Sequence, residues 1–381
     1  MRVEILNNYS DFLRMNELWT RTLEASSFNH IFLTHEWISS WWEDFGEGNK
    51  LFVILIWDSD TLVAAAPLMI RNIRVGKLVV AKKLQFIAHE VSDYMDFIII
   101  DQREKYFRII IDVIKAHSRQ WDWAEFIYIS ELSPNYRYWQ SNNSNPKTMI
   151  KIIRQKDVSI GLTFLDESGR RRDPSAILPS KNRLNSDLLK QYSKLLNHEK
   201  QVEVVQTNNY SDFENAFEPF VECHKINMKN RGKASPFNSE TEKQRLLRLS
   251  KKLSQKGWLE FVALKTQDKY IAMIIGFKYN KTFYYYMPTY NYEYRKYSPG
   301  NLIVKLLLQS FLENKAINDF DFLRGNEKYK YDWANHKIAL FSVQLFTSRI
   351  KFFLFFLLGK KAESFFNKYI KVYIGRAMQR S

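Results

Sequence analysis

Residues 283–333 read FYYYMPTYNYEYRKYSPGNLIVKLLLQSFLENKAINDFDFLRGNEKYKYDW. The aromatic run Phe283–Met287 has the composition of a strand. It enters a polar loop that carries Arg295 and Lys296 and ends in Ser298-Pro299-Gly300. Beyond the loop, Leu302, Ile303, Leu306, Leu307 and Phe311 recur at the three-to-four spacing of one buried helix face. A second apolar strand, Phe320–Leu323, then opens into a charged turn. Strand, glycine turn, helix and strand make a βαβ unit. The first-turn amides of such a helix lack intrahelical partners, and the helix dipole favours negative charge there. Gly300 lets a ligand approach the backbone, and Arg295 and Lys296 add charge beside it. This stretch predicts a phosphate grip.

Upstream, the chain repeats the same plan. LFVILIW (51–57) and LVAAAPLMI (62–70) flank Asp58-Ser59-Asp60, as LEFVALK (259–265) and YIAMIIGFKY (270–279) flank Gln267-Asp268-Lys269. Both are hairpin signals. In the first half a strand MDFIII (95–100), a helix near Glu104–His117 and a strand AEFIYI (124–129) complete the parallel with the second. We read an internal duplication of one mixed α/β unit, with domains at 1–165 and 166–348 and a tail at 349–381. The first-half helix opens Asp101-Gln102-Arg103-Glu104, with acids where an anion would sit. The phosphate site is therefore expected in the second half alone, the first serving as scaffold and one wall of a cleft.

Between the hairpins, Asp187–Leu196 reads as a basic helix, and Phe213–Arg231 and Glu240–Gln255 as amphipathic helices split by 232–238. Lys181, Arg183, Lys190 and Lys194 form a charge run, read as a solvated face or a polyanion contact. Trp37, Trp41 and Trp42 read as the core stripe of a helix. The tail sets Phe352, Phe353, Phe355, Phe356, Phe365 and Phe366 among lysines and arginines. Such a helix either packs its aromatics on the body or lies on anionic lipid.

A chain of 381 residues with 45% hydrophobic and 15% aromatic content supports real cores and excludes a disordered class. The formal charge of +16 suits nucleic acid, an anionic membrane surface or a polyanionic small ligand. Cys223 is the only cysteine, so no internal disulfide forms. No C-x-x-C, H-E-x-x-H or clustered His/Asp spacing points to a metal. MRVEILNNYSDF carries Glu4 and Asp11, and Phe352–Leu358 falls far short of the roughly 20 residues of a spanning helix. A cytoplasmic protein is expected, in peripheral contact with the membrane if the tail lies on lipid.

The chain resembles the GNAT superfamily of acyl-CoA-dependent N-acyltransferases, and more narrowly its CelD-type branch, similar in plan to Fem-type aminoacyl transferases. The residues that carry the likeness are FLTHEWISSWWEDFG (32–46), AAAPL (64–68), Ser92-Asp93-Tyr94 with Asp96, the helix around His224, Tyr297-Ser298-Pro299-Gly300, DFLRG (321–325) and YKYDW (329–333). The resemblance implies a tandem GNAT-like fold and a pantetheine arm between splayed strands 283–288 and 320–323. The pyrophosphate would rest on the helix opening at Gly300, with Tyr286, Arg295, Lys296, Ser298, Gly300 and Asn301 as the acyl-CoA contacts. The usual GNAT phosphate loop has more glycine, so acyl-CoA, acyl carrier protein and aminoacyl-tRNA all stay open as donors.

Acyl transfer to an amine needs a base, alignment, a stabilised oxyanion and a proton for the leaving thiolate. Asp93, Asp96, Glu327 and His224 are candidate bases, and Tyr94 a candidate proton donor. Asp93 either lines the cleft or caps a turn; Asp321 either lines the groove or pairs with Arg324. Glu327, Tyr329 and Lys330 sit in a turn at a strand end, where sites often form. His224 is either a helical core histidine or part of the site. The expected activity is N-acylation of an amino sugar or amino acid in surface-polysaccharide or lipid assembly. A Fem-like transferase using tRNA and a non-catalytic adaptor held by the basic tail are the alternatives.

Overall fold

The computed structural model describes residues 1–75, 78–141, 150–173, 177, 183–199 and 201–346. Lys181 and the tail from 349 lie outside them. The strands are β1 (Arg2–Leu6), β2 (Lys50–Leu51), β3 (Val53–Asp58), β4 (Thr61–Ala66), β5 (Leu68–Val75), β6 (Leu78–Phe86), β7 (Ile98–Ile99), β8 (Trp123–Ser130), β9 (Ile150–Thr163), β10 (Glu203–Thr207), β11 (Leu259–Lys265), β12 (Tyr270–Tyr279), β13 (Thr282–Tyr290), β14 (Asp319–Arg324) and β15 (His336–Phe346). Four form a small sheet, β1-β3-β4-β7; the rest form one mixed sheet, β10-β11-β12-β13-β14-β9-β15-β8-β6-β5-β2. The fold is mixed α/β, with helices covering the sheet faces.

The centre of the large sheet joins the halves by exchange. β9, the last strand of the first half, pairs with β14 and β15 of the second, and β15 pairs with β8 of the first. Each half thus completes the other's sheet, and the two cannot separate without breaking four adjacent strands.

The duplication is visible in the backbone. β6 and β8 run parallel through Lys83↔Trp123, Leu84↔Ala124 and Gln85↔Glu125. β13 and β14 run parallel through Thr282↔Asp319, Phe283↔Phe320 and Tyr284↔Asp321. A left-handed residue follows in each second strand, Tyr128 (φ 63) and Leu323 (φ 60). The first-half partner is β6, not the 95–100 segment: β7 keeps only two residues and pairs antiparallel with β4 in the small sheet.

β13 and β14 separate for a local reason. Between Ile275↔Met287 and Phe277↔Tyr284, Gly276 alone faces Tyr285 and Tyr286, a bulge that bends β13. A side chain at Gly276 would collide with the Phe283 ring, so this glycine is what allows the bulge to pack. The helix Pro299–Asn314 follows, with Pro299 at its first position, where the missing N–H costs nothing. Its buried face, including Leu302, Ile303, Leu307 and Phe311, seats on the sheet.

The helices Tyr210–Asn230 and Glu240–Gln255 cover the other face. The second opens on Ser239, whose hydroxyl accepts from the Glu242 amide. It is bound to the first-half helix His35–Phe45 through Arg248–Asp44, Lys252–Glu43 and Lys256–Glu36. Trp37 and Trp41 of that helix are buried, as the stripe predicted, and Trp42 is half-buried.

Candidate active site

Where β13 and β14 part, a cleft of about 760 Å³ opens, lined by both strand ends, the turn 295–301 and the first-half segment Glu90–Asp93. At one end lie Arg295, Ser298, Gly300 and Asn301, four of the predicted acyl-CoA contacts. Ser298 takes a left-handed conformation (φ 52) at the N-cap, and its side chain makes no capping hydrogen bond. A Cβ added at Gly300 would meet only Tyr290, at 3.9 Å. The fold therefore does not need glycine here; the space is open toward the cleft. Open room at a long helix's N-terminus, beside Arg295, fits a phosphate group. Lys296 is not in the lining; its ammonium sits 4.9 Å over the Tyr297 ring. Tyr286 lines the cleft beside the bulge.

At the other end a carboxylate and a guanidinium face each other across the two halves. Asp93 is buried, with Oδ1 3.2 Å from Arg324 Nη1, and its Oδ2 accepts from the Arg324 amide at 3.0 Å. Burial pushes Asp93 above the ordinary carboxylate range, partly offset by Arg324. Arg324 also donates to the carbonyls of Ser92 and Glu90, at 2.9 Å each, and stacks 4.2 Å over Tyr128. Trp37 Nε1 donates to Ser92 Oγ at 2.8 Å, which steadies the same segment. Asp93 both lines the cleft and accepts a backbone amide, so the two roles open in the sequence coincide.

Two predicted site residues stand behind this wall. The Tyr94 hydroxyl lies 2.5 Å from Ser159 Oγ and 2.6 Å from Asp321 Oδ2; Tyr94 and Ser159 are buried and Asp321 is half-buried. Asp321 also accepts the Leu323 amide at 2.7 Å, holding the left-handed turn. It pairs with Tyr94 rather than Arg324, and burial raises it to about 6. Neither lines the cleft, because alternation along β14 turns Asp321 into the interface between the halves. Asp96 is likewise buried away from the cleft, bonded to Ser133 and the Phe97 amide, and raised by burial to about 6.

Lys330 lines the cleft, but its ammonium is committed. It donates to the carbonyls of Leu323 (3.1 Å) and Arg324 (2.7 Å) and pairs with Glu327 at 3.0 Å. It locks the end of β14 and is not a free base. Burial would raise Glu327, and the Lys330 contact outweighs it, leaving the carboxyl below its usual value. His224 lines the cleft with Nδ1 2.9 Å from Ser235 Oγ; burial, then Arg231, lower it to about 4, so it is neutral at pH 7. Cys223 stays a thiol, pushed by burial to about 11.

Sequence reading missed Asn227, Glu242 and Arg245. Asn227 fastens the end of β13, donating to Thr289 Oγ1 (3.0 Å) and the Tyr290 carbonyl (2.6 Å). Arg245 is buried against the cleft with Nε 2.9 Å from Glu242. The three-residue Glu-to-Arg spacing was the available signal. Among the described residues, no group of three His, Cys, Asp or Glu side chains is placed to hold a metal. No helix among them is long and apolar enough to cross a membrane.

The profile described as "Acetyltransferase (GNAT) domain" matches residues 187–331, which contain the turn, the helix and both splayed strands. Residues 187–331 are similar to a GNAT domain. No curated protein matches the chain in sequence. Among solved structures, FemX superposes with a TM-score of 0.60 at 10% identity, over 90% of this chain and 97% of that one. A conserved protein of unknown function from Bacteroides thetaiotaomicron gives 0.53 at 11%, over 91% and 100%. The C-terminal domain of a candidate lysylphosphatidylglycerol synthetase from Agrobacterium fabrum gives 0.52 at 8%, over 88% and 92%. At these identities the likeness is one of fold, and it extends well beyond residues 187–331 into the first half.

Proposed function

We propose that the protein transfers an acyl group from acyl-CoA to the amine of a small molecule such as an amino sugar or amino acid. The observation that carries this reading is the cleft at the strand splay, with open space at Ser298–Gly300 and the buried carboxylate of Asp93 in its lining. Arg295, Ser298, Gly300 and Asn301 would hold the pyrophosphate, and the walls from Tyr285 to Tyr290 and Phe322 the pantetheine arm. Acyl-CoA supplies the activated acyl carbon. Asp93 takes the proton from the attacking amine, its raised affinity for protons suiting that task. A backbone amide freed from the ladder by the Tyr285–Tyr286 bulge donates to the acyl oxygen as charge develops. Tyr329, which lines the same end and is pushed by burial to about 12, returns a proton to the departing sulfur. Calorimetric titration with acetyl-CoA and longer acyl-CoAs, followed by a mass-spectrometric screen for transfer to amino sugars and amino acids, tests this. Absence of binding by every acyl-CoA overturns it.

A second reading is a Fem-like transferase drawing its acyl group from aminoacyl-tRNA. The fold shared with FemX and the formal charge of +16 favour it. Tight tRNA binding that weakens steeply with salt, without acyl-CoA binding, would establish it instead. A place in polysaccharide or lipid assembly belongs to the same proposal; acyl transfer to precursors of those polymers is its readout.

A further inference from the structure

Four carboxylates and five permanent cations line the cleft. Each carboxylate has a cation of its own. Glu90 pairs with Arg71, which lies outside the lining; Asp93 pairs with Arg324 (3.2 Å), Glu242 with Arg245 (2.9 Å) and Glu327 with Lys330 (3.0 Å). Two lining cations are left over, Arg231 and Arg295. Arg295 stands 4.6 Å over the Tyr292 ring beside the phosphate turn, where the acyl-CoA reading already uses it.

Arg231 has no such assignment. Among the described residues its side chain has no hydrogen-bond or ion-pair partner. It is the C-cap of the helix Tyr210–Asn230, and Gly232 (φ 66) turns the chain away immediately after it. That turn leads to Pro236, which also lines the cleft. The charge of Arg231 is felt at His224, Tyr285 and Tyr329, none of which belongs to the turn 295–301. Tyr329 lies between Glu327 and Lys330, so Arg231 serves the end of the cleft where the acyl group would be handed over. With every neighbouring carboxylate neutralised, a substrate anion there would meet one uncompensated guanidinium and no opposing charge left unpaired.

We propose that Arg231 recognises a negatively charged group on the acceptor, so that the amine substrate is an anion: an amino acid with a free carboxylate or a phosphorylated amino sugar. This rests on the acyl-transfer reading above. It makes Arg231 a specificity-determining residue, with Asp93 facing the amine and Arg231 the anionic group of one molecule.

The test compares acceptors in pairs, using whichever acyl-CoA the parent protein binds: glucosamine against glucosamine 6-phosphate, and amino acids against their amides. The anionic member of at least one pair should be preferred tenfold or more in kcat/KM, and the pair that shows it tells phosphate from carboxylate. Arg231→Gln should remove the preference by raising KM for the anionic acceptor. Its kcat and its acyl-CoA Kd should stay within twofold, and Arg231→Lys should recover part of the preference. Equal use of anionic and neutral acceptors by the parent overturns the proposal. So does a tenfold loss of acyl-CoA affinity in Arg231→Gln, which would place this side chain on the donor's phosphates. A parent protein that binds no acyl-CoA fails at the earlier step, and overturns the acyl-transfer reading with it.

Discussion

In the first half, β6 and β8 run parallel for three residue pairs and then part where Tyr128 turns left-handed; in the second, β13 and β14 run parallel for three pairs and part at Leu323. What fills the gap differs. In the first half Phe97 occupies it, packed against Phe86 of β6 and Phe107 of the following helix at 5.7 Å each, Phe126 of β8 at 6.0 Å and Trp139 at 5.4 Å. In the second half the gap stays open as the cleft. The helix starts differ in the same sense, Gln102-Arg103-Glu104 against Ser298-Pro299-Gly300. The longer first-half connection between β6 and its helix plugs its own groove with Phe97 and sends Glu90, Val91 and Asp93 into the groove of the other half. The open groove of the second half is thus walled in part by residues of the first.

The largest effect that would sharpen this contrast is on stability. Phe97→Ala should cost about 3–5 kcal/mol, the usual penalty for removing a fully packed phenylalanine. Chemical denaturation reads it, while acyl-CoA affinity of the folded variant should hold within twofold. A matching loss of affinity would mean that the first-half groove is not merely filled. Next comes Asp93→Asn, expected to lower turnover about a hundredfold, as for loss of a general base. Turnover of the parent should fall as pH drops, with its midpoint above the ordinary carboxylate range, because burial raises Asp93. A midpoint at or below that range would assign the base elsewhere.

A smaller effect concerns the Tyr94–Asp321 pair. Asp321 sits at about 6 when folded, against 3.8 as its ordinary value. The folded state then holds a proton that the unfolded state has released between those values, so Asp321 costs stability as pH rises through this window. Asp321→Asn should therefore gain stability relative to the parent from pH 4 to pH 7. Denaturant midpoints at both pH values check the sign, and a constant difference would contradict it.

Much of the second half was legible because its signals are local. The strands at 259–265, 270–279 and 283–287, the helix after Ser298 and the strand at 320–323 reappear as β11, β12, β13, Pro299–Asn314 and β14. Glu240–Gln255 was read to the residue. The exchange of β9 and β15 was not legible, since pairing between strands nearly 190 residues apart leaves no local pattern. β6 escaped because Lys82 and Lys83 break its apolar run. At the site, Gly300, Arg295 and Asp93 could be singled out by type and place. Tyr94 and Asp321 could not be told from cleft residues until the interface between the halves was known. Arg245 was hidden for the opposite reason, a buried cation on a helix whose composition looks solvated.

We propose that only the second half keeps a working anion turn. Calorimetric titration of acyl-CoA into the parent, Gly300→Asp and Asp101→Gly tests it most directly. Gly300→Asp should weaken binding at least tenfold, about 1.4 kcal/mol or more, by placing a carboxylate in the open space before the helix. Asp101→Gly, at the start of the equivalent helix, should leave the affinity unchanged. Unaltered binding in Gly300→Asp, or a loss in Asp101→Gly, would show that the anion is held elsewhere.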